Sequence, residues 1–172
     1  MKFILVLVLI FFLQCSYQIV NEVDEYNRLT RTYEKMNRVQ NFAGSMYLNL
    51  FKVASETGTS VYIKYECRQQ DWLFIEQSNS FQFLFMNDDV LNLSINGISN
   101  REVSSGGGYV GIIEWGLISL DKVTLQKLLN QNIKSLRVNG SSYYNEYKTG
   151  FLKVQERWRE FSKSNLNEFL NN

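Results

Sequence analysis

The chain of 172 residues carries 18 Lys plus Arg against 17 Asp plus Glu, is 45% hydrophobic and 15% aromatic, and contains neither histidine nor proline. So even a balance gives no electrostatic case for binding nucleic acid or an anionic membrane surface. The missing histidine removes Ser-His and Cys-His catalysis, histidine-ligated metals and an ordinary histidine pH switch.

The first element is a targeting segment. Met1 and Lys2 give a short positive start, and Phe3 to Leu13 is an unbroken apolar run. Eleven such residues rise about 16 Å in a helix, roughly half of the ~30 Å hydrocarbon core of a bilayer. That length suits an export signal, expected over residues 1–14. With it removed, the charges balance at 17 against 17, because Lys2 leaves the count of 18. The run ends at Cys15 and resembles the lipobox of bacterial lipoproteins, in which the cysteine becomes the acylated first residue. Phe12 and Gln14 depart from that pattern, which prefers leucine and a small residue there. Residues 15–18 are expected as an anchor and linker. A secreted form with a Cys15–Cys67 disulfide is the alternative in an oxidising compartment.

From Ile19 onward the apolar residues Val23, Tyr26, Leu29, Tyr33, Met36 and Val39 recur three or four apart, predicting an amphipathic helix over 19–41. The period then changes to two. "SMYLNLFKV", "VYIKYEC", "DWLFIEQ", "FQFLFM" and "VLNLSI" read as strands, with a hairpin turn at Asn87 to Asp89. "NGISNREVSSGGG" reads as a break before a further strand, "YVGIIEWGLI". A helix follows in "LDKVTLQKLLNQ", capped by Ser119 or Asp121. A hairpin turns at Asn139-Gly140, and a last helix presents Phe151, Val154, Trp158 and Phe161. Runs of strands without strict β-α alternation predict an α+β fold: one antiparallel sheet with amphipathic helices packed on one face. Residues 19–172 are expected to form a single domain.

No motif supplies a catalytic residue, a cofactor site or a metal site. Gly106 to Gly111 spells G-x-G-x-x-G, but strand-like residues follow where the phosphate mechanism needs a helix N-terminus. Asp88-Asp89 lacks the spacing of a calcium loop and suits a turn. Asn92 and Asn139 head formal glycosylation sequons, at a frequency near chance in an asparagine-rich chain. Glu66, Glu76 and Glu114 lie in strand-like runs, and two of them facing each other would make a secreted hydrolase with paired carboxylates. Cys67 shares an alternating face with Val61, Ile63 and Tyr65 and is expected in the core. The remaining lead is aromatic: Trp72, Trp115, Tyr143 and Tyr144 form the candidate binding surface, with Trp158 a further aromatic of the same kind.

"VYIKY", "DWLFI", "IEW" and "LRVNGSSYYNEY", taken in order over roughly 60–147, resemble small exported proteins and lipoproteins of bacteria that form domains of unknown function. The resemblance implies bacterial export and one α+β domain, and it brings no catalytic residues. The expected function is therefore a lipoprotein of the cell envelope, held at a membrane through Cys15 and acting by binding a protein or small molecule.

Overall fold

The computed structural model describes residues 17–25, 27–41, 44–78, 80–106, 109–141 and 143–171. The expected leader and Cys15 lie outside them. Eleven strands and three helices occur among the described residues. The strands are β1 (Gln18–Asp24), β2 (Leu29–Lys35), β3 (Arg38–Gln40), β4 (Gly44–Ser55), β5 (Gly58–Gln69), β6 (Phe81–Phe85), β7 (Val90–Leu93), β8 (Asn100–Gly106), β9 (Tyr109–Leu120), β10 (Ile133–Asn139) and β11 (Tyr144–Tyr147). The helices are α1 (Lys122–Asn130), α2 (Phe151–Asn165) and α3 (Asn167–Asn171).

The expected α+β architecture is thus corrected to a mostly β fold built on two antiparallel sheets. The larger sheet has seven strands in the order β1-β2-β4-β5-β9-β8, with β3 also paired to β4. The smaller has the order β11-β10-β6-β7. Two sequence expectations fail locally. The helix over 19–41 is instead the β1–β2 hairpin followed by β3, because Val23 opposes Thr30 and Gln18 opposes Lys35 in antiparallel register. Its supposed apolar stripe is not a buried face: Val39 is buried, but Ile19 and Met36 are exposed and Val23 is 72% exposed. The break before β9 contains β8, whose Ser, Asn and Glu residues have little strand propensity of their own. Pairing along β9, from Asn100 opposite Trp115 to Gly106 opposite Tyr109, supplies what local propensity lacks.

β2 and β3 form one lane beside β4. Tyr33 opposes Phe51 and Arg38 opposes Tyr47, so five steps on one side meet four on the other. The extra residue makes a bulge, and Met36 there has a φ of 74°. Strict alternation buries Leu48, Leu50, Val61, Ile63, Tyr65 and Cys67 on one face of β4 and β5. They join Phe81, Phe83, Phe85, Leu136 and Val138 of the smaller sheet in a single hydrophobic cluster. Tyr65 lies across Gly116, its partner on β9. A Cβ at Gly116 would come within 2.8 Å of Tyr65 Oη, so only glycine admits the ring.

The helices complete the core. Asp121 caps α1 by accepting the Thr124 N–H at 2.6 Å. α2 turns Phe151, Val154, Trp158 and Phe161 inward, and Trp158 Nε1 donates to the Leu48 carbonyl at 3.1 Å. Gln155 of α2 is buried and joins three elements. Its Nε2 donates to the carbonyls of Leu128 and Gln131 at the end of α1, and its Oε1 accepts the Ile133 N–H of β10. Carbonyls left over at a helix C-terminus are satisfied in this way without water.

Candidate functional site

Two buried carboxylates stand out. Glu114 of β9 is fully buried. Its Oε1 accepts the N–H groups of Leu73 at 2.6 Å and Phe74 at 3.0 Å, and its Oε2 accepts that of Ile75 at 3.1 Å. Phe74 has a φ of 54°, which helps turn three successive N–H groups toward one anion. Arg101 Nε approaches Glu114 Oε2 at 3.6 Å, and its guanidinium lies over the Phe74 ring. Every partner of Glu114 is a donor that cannot accept. The carboxylate is therefore occupied in holding the 71–75 segment against the sheet.

Glu34 of β2 is 1% exposed. Its Oε2 accepts from Asn37 Nδ2 and the Leu50 N–H, both at 2.8 Å, while its Oε1 accepts from the Tyr17 hydroxyl at 3.0 Å. Arg157 of α2 reaches the same bulge, donating to the Met36 carbonyl and to Asn37 Oδ1, and lies over the Tyr17 ring. Burial pushes the Glu34 carboxyl up to about 7, against the opposing pull of the Leu50, Tyr17 and Asn37 hydrogen bonds and of Arg157. A protonated Glu34 keeps the network, because its O–H can donate to Tyr17 Oη.

The carboxylates singled out in the sequence do not assemble into a pair. Glu66 opposes Trp115 while Glu114 opposes Cys67, which places Glu66 and Glu114 on opposite faces of the large sheet. Glu66 pairs with Arg68 instead, and Glu76 is exposed. Glu34 shares the inner face with Glu114 but lies beside Leu50, in a row that reaches β9 at Ile118. Four residues along and three strands across separate the two by about 13 Å and about 14 Å. A pair of carboxyls acting on one glycosidic bond stands within roughly 10 Å. Among the described residues no group of three or more Cys, Asp or Glu could hold a metal ion.

Cys67 is a buried free thiol, as its alternating pattern predicts. Its Sγ lies 3.3 Å from Tyr147 Oη, and burial pushes the thiol up to about 12, so it is not a nucleophile at neutral pH.

The four aromatics proposed as one binding surface occupy three places. Trp72 is half-buried and stacks at a tilt on Phe74 in the 71–75 segment. Adjacent residues of a strand point to opposite faces, but Tyr143 and Tyr144 do not divide in this way. Both are exposed, because Asn139 opposes Tyr144 and Tyr143 belongs to the turn. Tyr144 carries Arg137 over its ring at 4.3 Å. Trp158 is in the core.

Trp115 alone opens onto a larger surface that the sequence reading missed. The odd-numbered residues of β9 and β4 and the even-numbered residues of β5 share the outer face of the large sheet, and no described element covers it. Tyr33, Phe51 and Tyr62 run across three strands with ring centroids 5.6 Å and 6.4 Å apart. Beside them, Lys64 Nζ lies 5.7 Å from the Trp115 centroid and the Arg68 guanidinium 5.0 Å from that of Tyr47. Leu117 and Ile113 flank Trp115 on β9. The signal was present: Tyr62 and Phe51 stand at the positions that alternate with core residues, where a one-sided sheet ordinarily carries polar side chains. A cleft of about 620 Å³ at one end of this face is lined by Ser60, Tyr62, Asp121, Lys122 and Glu168 among others.

Comparisons of the chain with protein-family profiles, curated proteins and solved structures find no match.

Proposed function

We propose that the chain is an exported protein of the bacterial cell envelope, tethered to a membrane through Cys15, that works by binding through the outer face of its seven-stranded sheet. The observation that carries the binding half is the aromatic and cationic surface formed by Tyr33, Tyr47, Phe51, Tyr62, Lys64 and Trp115, which lies uncovered among the described residues. A contiguous patch of this kind marks an interaction site on soluble proteins. The buried ionisable groups Glu34, Glu114 and Cys67, by contrast, are consumed by structural hydrogen bonds.

The tethering half rests on the leader ending at Cys15 and on its likeness to a lipobox. None of the described helices is long and apolar enough to cross a membrane. On the lipobox likeness, membrane retention is assigned to lipid, and the several acyl chains of a mature lipoprotein hold firmly where one chain does not. Labelling of expressing cells with a palmitate analogue tests it. Incorporation is expected in the wild type and absent in Cys15→Ala; label that persists in Cys15→Ala overturns the tether.

A further inference from the structure

We infer that the occupant of the outer sheet face is a second copy of this chain, packed face to face about a two-fold axis that crosses β5 at Tyr65. The inference rests on the reading of this face as the working surface and names its partner.

Area comes first. The outer rows from Ser45 to Phe51, which the axis bisects, extend about 20 Å along the strands, and β2 to β9 span about 14 Å across, before side-chain margins are added. With those margins the face offers roughly 700 Å² per copy, so a pair buries about 1,400 Å², inside the range of stable interfaces. Shape agrees with it. A broad sheet face buries aromatics best against another sheet at about 10 Å spacing.

Charge chooses among partners of that size. The outer face carries Arg31, Lys35, Arg38, Lys64 and Arg68 together with Glu22, Asp24, Glu66 and Glu102, interspersed along the strands. Arg31 pairs with Asp24 and Arg68 with Glu66. No single-sign field exists to select a polyanion or an acidic peptide. A face that bears both signs side by side can complement its own copy, since across a two-fold axis residue i meets residue j and j meets i.

The register makes this specific. Lys64 and Glu66 flank position 65 on the outer side of β5, and Leu117 and Trp115 lie opposite them on β9. A two-fold crossing β5 there sets Lys64 of one copy against Glu66 of the other, twice. It also sets Trp115 of one copy against Leu117 of the other, twice. Trp115 and Leu117 then flank the two charge pairs, and Phe51 and Tyr62 of each copy cover Ser45 and Arg68 of the other.

The experiment places a photo-crosslinking benzophenone side chain at Tyr62 of the full exported chain, with a control at Val123 on α1, which is 74% exposed. Light is expected to give a covalent dimer from Tyr62 and none from Val123. Lys64→Glu should lower the yield about tenfold by setting like charges together, and Lys64→Glu with Glu66→Lys should restore it. Far-UV circular dichroism confirms that each variant is folded. A Tyr62 probe that yields no dimer, or a dimer indifferent to the charge swap, overturns the inference. Crosslinks from Tyr62 to a different molecule overturn it while leaving the binding reading standing. If neither Tyr62 nor Leu117 probes crosslink to anything in the envelope, both fall.

Discussion

Glu34 and Glu114 are the same side chain, buried to the same degree in the same face of one sheet, yet they meet different company. Glu114 faces three backbone N–H groups and a guanidinium, none of which can accept a hydrogen bond. Glu34 faces one backbone N–H, one amide and one hydroxyl. The hydroxyl of Tyr17 can reverse its role, so the Glu34 site tolerates a proton or an amide, whereas no partner of Glu114 could accept from an amide. The identity of the donors, more than burial, decides what a buried carboxylate is for.

Four measurements would break or sharpen this contrast. Glu114→Ala should have the largest effect, about 3–5 kcal/mol in urea unfolding, because it strands three buried N–H groups and the charge of Arg101. A loss below about 1 kcal/mol would show that the 71–75 segment is held by other contacts.

The next effect belongs to pH. The Glu34 carboxyl is raised in the folded chain from its ordinary 4.5 to about 7. Its contribution to stability is complete below about pH 4.5 and is lost as pH rises through 7, because the folded state then gives up a proton it holds more tightly than the unfolded state does. The loss between these limits is about 3 kcal/mol. It should vanish in Glu34→Gln, whose Nε2 can donate to Tyr17 Oη while its Oε1 keeps Leu50 and Asn37. An unchanged pH slope in Glu34→Gln would assign the titration elsewhere.

Glu114→Gln should cost about 1–3 kcal/mol, since its amide N–H must face the Ile75 N–H. Equal melting temperatures for Glu114→Gln and Glu34→Gln at pH 7.5 would erase the distinction. The smallest effect is that of Tyr17→Phe, about 1 kcal/mol at neutral pH from one lost hydroxyl. It should shrink at pH 5, where Glu34 is protonated.

Much of the fold was legible where one period is unambiguous. Val61, Ile63, Tyr65 and Cys67 cannot share a helix face, and they form a strand; Asp121 before an apolar helical run is a cap. The segment 19–41 misled because a spacing of four fits both periods: Ile19 and Val23 lie on one face of a strand as readily as on one face of a helix. The side of β1 they occupy is barely covered, so burial did not discipline the pattern. β8 was illegible because its strand state is conferred by β9. The site was less legible still. Glu34 acquires its meaning from Leu50 and Arg157, and Glu114 from residues some forty positions earlier. The outer face could have been read from Phe51 and Tyr62, whose aromatic character conflicts with a solvent-facing position.

The pairing of β5 with β9 has a consequence for the timing of synthesis. Val61 meets Leu120 and Gln69 meets Ile112, so the central sheet stays open until β9 has been made. Translation from Gln69 to Leu120 takes roughly 3–10 s at about 5–20 residues per second. Through that interval the nascent β4–β5 hairpin keeps one edge of β5 without its partner strand. Slow closure of such distant pairings is expected of this topology. Until then the N–H and C=O groups along that edge stay open to pairing with another strand.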